Sequence, residues 1–144
     1  MKKKLPEHGW CFVCGTQNPH SLGLSWYLED DGSISCAFTL TDAQQGPPKL
    51  AHGGATAAVL DEAMGMAVWA AGLKVAAVNL EINYLQPVPL GQGLRLSARI
   101  TERGERKIFS SGEIQLADGS TAVGGRGIYV VAPHLFEHVG LQEL

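Results

Sequence analysis

The sequence has little of what would mark a secreted, membrane-bound or nucleic-acid-binding chain. Cysteine is scarce, three in 144 residues. That odd, low number argues against a disulfide framework and for a reducing, cytoplasmic setting. Charge of one sign does not accumulate either. Eleven Lys and Arg stand against 14 Asp and Glu, a net charge of −3, so bulk electrostatics gives no reason to expect nucleic acid as a partner. The one run of like charge, Lys2-Lys3-Lys4, reads as a solvated amino-terminal tail. Leu5-Pro6-Glu7-His8 follows it rather than an apolar signal region. The most apolar stretch, Ala55 to Ala71, is short for a membrane span and carries Asp61 and Glu62, so no membrane is expected. Internal repeats and low-complexity segments are absent. What remains is ordinary globular composition, 17% charged and 45% hydrophobic, at a length suited to one domain with a real core.

Residues 1–22 show no period and read as an irregular lead-in; residues 23–144 read as a single domain. Leu24–Leu28 and Ile34–Leu40 flank Asp30-Asp31-Gly32, the pattern of a β-hairpin. Gly46-Pro47-Pro48 marks a loop. From His52-Gly53-Gly54 a run rich in Ala, Leu and Met continues to Ala71 and stops at Gly72. It is helical by propensity and apolar on nearly every face, so protein should wrap it all round. The remainder is strand after strand: Val78 to Tyr84, Leu94 to Thr101, Lys107 to Leu116 and Thr121 to Val131. Short connections between them predict an antiparallel meander. Gly124, Gly125 and Gly127 suggest a bulge or a close backbone approach. The fold class is therefore α+β, with an antiparallel sheet curled around one long central helix.

The helix carries the chemistry. Asp61 has Ala57, Ala58, Met64 and Gly65 as its neighbours one turn away. An ionised carboxylate in such a setting is costly unless something meets it, either an ion pair or a ligand. Glu62 points about 100° away around the helix and reads as a solvent or interface charge, or as a substrate contact. Gly53 and Gly54 open the helix, where free N–H groups and the dipole favour a negative oxygen. They are candidates to hold a thioester oxyanion. His52 is a candidate base or a loop anchor. Eight helical residues separate Gly53 from Asp61, about 12 Å. An oxyanion donor and a water-activating carboxylate must both lie close to one carbonyl, so one helix cannot supply both. Two antiparallel copies can, which points to a site shared between subunits.

The segment His52-Gly53-Gly54-Ala55-Thr56-Ala57-Ala58-Val59-Leu60-Asp61-Glu62-Ala63-Met64-Gly65 resembles the His-Gly-Gly…Asp-Glu-Ala-Met-Gly signature of PaaI-like hotdog thioesterases. Gln45-Gly46-Pro47-Pro48, Asn83–Pro89 and the lead-in Cys11-Phe12-Val13-Cys14-Gly15 with Asn18-Pro19 are similar to that family too. The resemblance spans roughly residues 11–131. It implies a hotdog fold, a homodimer or a homotetramer built as a dimer of dimers, and an acyl-CoA substrate with no cofactor. It implies Asp61 as base or nucleophile and the Gly53 N–H as oxyanion donor from the other subunit. Ala77 stands where many relatives carry Thr or Ser, and Asn79 is the candidate to supply a polar group instead. Gln44 or Gln45 fills a loop position that is often Asn or Gln in relatives.

Cys11 and Cys14 form a Cys-x-x-Cys pair with His8 and His20 nearby. Metal-free turn residues are the expectation, because a second ligand pair from a separate turn is not visible; zinc and redox readings are the alternatives. Cys36 alternates with core residues and reads as a small buried hydrophobe. Two other functions stand beside thioester hydrolysis: acyl-CoA binding without turnover, and a hotdog hydratase or dehydratase.

Overall fold

The computed structural model describes residues 2–137; the last seven residues assigned above to the domain lie outside them. Among the described residues, seven strands form one antiparallel sheet: β1 (Lys3–Lys4), β2 (Tyr27–Leu28), β3 (Ile34–Phe38), β4 (Val75–Tyr84), β5 (Leu94–Arg103), β6 (Lys107–Gln115) and β7 (Thr121–Val131). A single long helix, α1 (Gly53–Ala70), crosses its concave face. The spatial order is β1-β2-β3-β5-β6-β7-β4. This is the hotdog architecture that the alternating strands and the lone apolar helix predict.

The helix begins and ends where its residues dictate. Its first turn is capped by the His52 side chain, whose Nδ1 accepts the Gly54 N–H at 2.8 Å. It closes at Gly72, whose φ of 91° is open to glycine at little cost. Between the caps, Val59, Leu60, Ala63, Met64, Ala67 and Val68 are buried with Leu94, Leu96, Ala98, Ile108, Ile114 and Val123 of the sheet. Burial at about 1.5–3 kcal/mol for each large side chain makes this the main source of stability. Two sheet hydroxyls also reach the helix backbone: Ser110 donates toward the Met64 carbonyl at 3.1 Å and Tyr129 toward that of Asp61 at 2.9 Å.

Three expectations need correction. The meander holds for β5, β6 and β7, but β4 does not pair with β5. It pairs with β7 at the far edge, and β3 takes the place beside β5. The connection between β4 and β5 carries Pro87 and Pro89 and runs past the loop before α1, where the Ala51 N–H donates to the Val88 carbonyl. A short linker can join two distant strands because the curled sheet brings its edges around the helix. Second, the lysines are not a tail. Lys3 and Lys4 pair with Leu28 and Tyr27, and Leu5, Val13 and Cys14 enter the core. The lead-in supplies apolar surface that the period-based reading could not weigh. Third, the helix is not wrapped all round, since the strip Ala57, Asp61 and Gly65 stays half-buried.

Candidate functional site

Asp61 and Glu62 leave the middle of α1 on different flanks and meet different surroundings. Asp61 faces β7. Tyr129, 3% exposed, directs its hydroxyl to the Asp61 carbonyl and to Oδ1, the latter at 3.2 Å. One hydroxyl proton is thus shared between two acceptors, so the carboxylate is only weakly held. No described residue donates to its Oδ2. Burial pushes the Asp61 carboxyl above the usual carboxylate range, partly offset by the Tyr129 hydrogen bond. Tyr129 itself is pushed well up by burial and by the neighbouring charge. A carboxylate made more basic by burial and only loosely tethered is suited to accept a proton.

Glycines make room for this pair. A Cβ at Gly127 would lie 2.5 Å from the Tyr129 ring, and one at Gly65 would touch the ring from the helix side at 3.4 Å. The tyrosine therefore lies between two glycines, one on the sheet and one on the helix. This close approach is one of the two readings of the β7 glycines; the register breaks lie elsewhere, in β4, β5 and at the start of β7. Tyr129 was missed by sequence reasoning. Its signal was Gly127 two residues ahead, on the same face of the strand.

Asp61, Gly65, Ala77, Tyr129 and Trp69 line a cavity of about 390 Å³ that extends to His8, Cys11 and Glu62. Ala77 pairs with Tyr129 across β4 and β7 and faces the helix. Asn79 does not follow it. Val78 is inserted as a bulge, so Asn79 pairs with Ile128 and lines the outer face of the sheet with Arg126 and Glu81. The extra residue turns the alternation by one, and Asn79 cannot replace a hydroxyl at Ala77 in this chain.

The loop candidates fall apart in the same way. Gln45 Oε1 accepts the Lys49 N–H at 3.0 Å, and the Gln44 side chain closes a capping box with Thr41. Both brace the loop that precedes α1, Gln45 through its oxygen alone. The Gly54 N–H is taken by His52, which leaves Gly53 as the donor at the helix start without a protein acceptor among the described residues. His52 is a cap and lies a helix half-length from Asp61, so it does not serve as its base within one chain. Tyr84 donates to the Gly53 carbonyl at 2.8 Å, and its ring would lie 3.2 Å from a Cβ at Gly53.

Glu62 is not a solvent charge. Its side chain is 16% exposed. Oε2 accepts from the indole N–H of the buried Trp26 at 2.9 Å, and Oε1 accepts from the Cys11 thiol at 2.6 Å. Burial pushes Glu62 up to about 7. Hydrogen bonding from Cys14 and His8 holds the Cys11 thiol down, and the bond to Cys11 pushes Cys14 up. His20 is exposed and stands outside this group.

Residues 49–123, from the loop before α1 into β7, match the thioesterase superfamily as a family. A solved thioesterase superfamily protein superposes with a TM-score of 0.82 at 33% identity, covering 85% of this chain and 60% of its own. PaaI from the phenylacetic acid degradation operon of E. coli shares the fold, with a TM-score of 0.72 at 24% identity over 77% of this chain and 80% of its own. Acyl-coenzyme A thioesterase THEM4 of Rattus norvegicus is 33% identical over 67% of this chain and 41% of its own length. The chain spans about two fifths of the length of the curated relatives it matches. A lone apolar helix in a curled antiparallel sheet, a carboxylate at its middle and the match across both elements lead to one conclusion: the chain belongs to the thioesterase superfamily.

Proposed function

We propose that the protein hydrolyses the thioester of an acyl-CoA, with Asp61 as the general base and the Gly53 N–H of a second copy as oxyanion donor. The observation that carries this reading is Asp61 itself, a half-buried carboxylate on a cavity wall with one weakly shared donor. Water held by Asp61 attacks the carbonyl carbon and gives its proton to the carboxylate. The oxyanion that forms is met by the Gly53 N–H. The C–S bond then breaks, and the CoA sulfur leaves with the proton from Asp61, giving free acid and CoA. The relatives named acyl-coenzyme A thioesterases support the substrate class.

The second copy follows from distance. Gly53 and Asp61 are eight residues apart on one regular helix, about 12 Å, and Gly53 does not line the Asp61 cavity. The β4 edge is suited to receive a twin. Among the described residues it carries no neighbour on its outer side, and Val78 and Tyr84 are 56% and 55% exposed. Such an edge calls for a partner strand. A two-fold axis there sets two copies of α1 antiparallel, with Gly53 of one beside Asp61 of the other. Ala77, a methyl group in the cavity beside Asp61, is the one observation that favours binding without turnover.

Subunit exchange tests the reading. Asp61→Asn chains are mixed with chains inactivated by Gly53→Val, and release of free thiol from acyl-CoA esters is followed. In a mixed dimer one site carries both defects and the other neither, so activity should recover toward half of wild type. Silence after proven exchange between folded chains would sink the shared site.

A further inference from the structure

We propose that His8, Cys11, Cys14 and Glu62 form a closed tetrahedral zinc site that fastens the amino-terminal segment to the flank of α1. One ligand atom from each of the four lies within 4.8 Å of all the others. Cys14 Sγ is 3.9 Å from His8 Nδ1, and that nitrogen is 4.0 Å from Glu62 Oε1. Metal–ligand bonds of about 2.0–2.3 Å in a tetrahedron put ligand atoms roughly 3.3–3.8 Å apart, so the His8 pairs fit nearly as they stand, while Cys11 Sγ and Glu62 Oε1, joined at 2.6 Å by a thiol hydrogen bond, must part by about 1 Å once the metal replaces that proton. Two thiolates, an imidazole and a carboxylate suit zinc and not magnesium or calcium, which take oxygen ligands.

The backbone is built for the same end. The Gly15 N–H donates to the Cys11 carbonyl at 2.9 Å, and the Val13 N–H points at Cys11 Sγ at 3.4 Å. The Val13 donor favours a thiolate at that sulfur, while the Gly15 bond closes the turn. Gly15 has to be glycine, because a Cβ there would lie 2.3 Å from the Gly9 carbonyl oxygen and 2.5 Å from the Cys11 nitrogen. The Cys-x-x-Cys loop is thereby wound into a knuckle with both sulfurs on one side.

Of the second pair of ligands, one stands near the knuckle in the sequence and the other comes from a place that the spacing could not reveal. His8 precedes the knuckle, and Glu62 arrives from the helix 51 residues beyond Cys11. Trp26 fixes the carboxylate from behind through Oε2, leaving Oε1 toward the sulfurs and His8. Support of this kind orients metal ligands and sharpens affinity. Zinc binding displaces the thiol protons to solvent. Four protein ligands leave no open position, so the site is structural. It holds one wall of the cavity that Asp61 shares.

The test uses the whole chain, purified under reducing conditions without added metal. Elemental analysis should find about one zinc per chain, as a closed four-ligand site requires. Exchange for cobalt(II) should give thiolate-to-metal charge-transfer absorption and the visible bands of tetrahedral cobalt. Cys14→Ser and Glu62→Gln should each reduce bound zinc at least tenfold, while His20→Ala leaves it unchanged. Wild-type protein that neither carries zinc nor binds added zinc or cobalt would overturn the proposal without reference to any variant. So would a thiol count showing Cys11 and Cys14 joined in a disulfide.

Discussion

Two consecutive carboxylates of α1 border the same cavity but leave the helix on different flanks and are held differently. On one flank Asp61 faces the sheet, across a gap kept open by Gly65 and Gly127, and shares a single hydroxyl proton with its own carbonyl. On the other, Glu62 is gripped by Trp26 and Cys11 and lies beside His8. The helix imposes the difference, since neighbours in sequence diverge by about 100°. The Asp61 carboxylate is left under-satisfied at the cavity that both acids border, which suits chemistry. The Glu62 flank is nearly satisfied and covered by the lead-in, which suits construction. Like residue types at adjacent positions therefore do not share a job, and only what packs against each flank tells them apart.

The comparison breaks most cleanly by exchanging each acid for its amide. Asp61→Asn keeps the shape and removes the base, so turnover should fall by about 10²–10⁴-fold with the melting temperature little changed. Glu62→Gln should do the reverse, lowering thermal stability more than it lowers the rate. Steady-state kinetics beside calorimetry separates the two outcomes. If both variants lose rate alike while staying folded, the division between flanks is mistaken.

A smaller effect is expected on the sheet side. Gly127→Ala drives a methyl into the Tyr129 ring and should destabilise the fold by about 1–3 kcal/mol, the usual cost of overpacking. Urea unfolding reads this directly, and an unchanged midpoint would show that the ring moves aside at no cost. Smaller again, Tyr129→Phe removes the hydroxyl that reaches Asp61. Stability should drop by about 1 kcal/mol. The rate should change far less than in Asp61→Asn, because the shared bond holds the carboxylate and is not the base. A loss as deep as that of Asp61→Asn would give Tyr129 a direct part in the reaction.

Much of this was legible in the chain order. Alternation in Leu94, Leu96, Ala98 and Ile100 gave the inward face of β5, and the apolar run after His52-Gly53-Gly54 gave the helix with its carboxylate. Those signals are local, because side-chain direction repeats every two residues in a strand and every 3.6 in a helix. Asn79 was misread because one inserted residue, Val78, resets that repeat without any mark in composition. Likewise, nothing in the spacing of Gln45 announces the loop bond that its oxygen makes to Lys49.

By itself the sequence determined the number and kind of elements, the place of Asp61 at mid-helix and the Gly53–Asp61 separation along it, since each depends on residues within a few turns of one another. Only the tertiary structure decided that β4 lies beside β7, that Tyr129 rises over Gly127 to meet Asp61, and that Glu62 joins His8, Cys11 and Cys14. These are contacts between segments up to 68 residues apart. They are settled by how the sheet curls and which surfaces it can bury, and no local period encodes that.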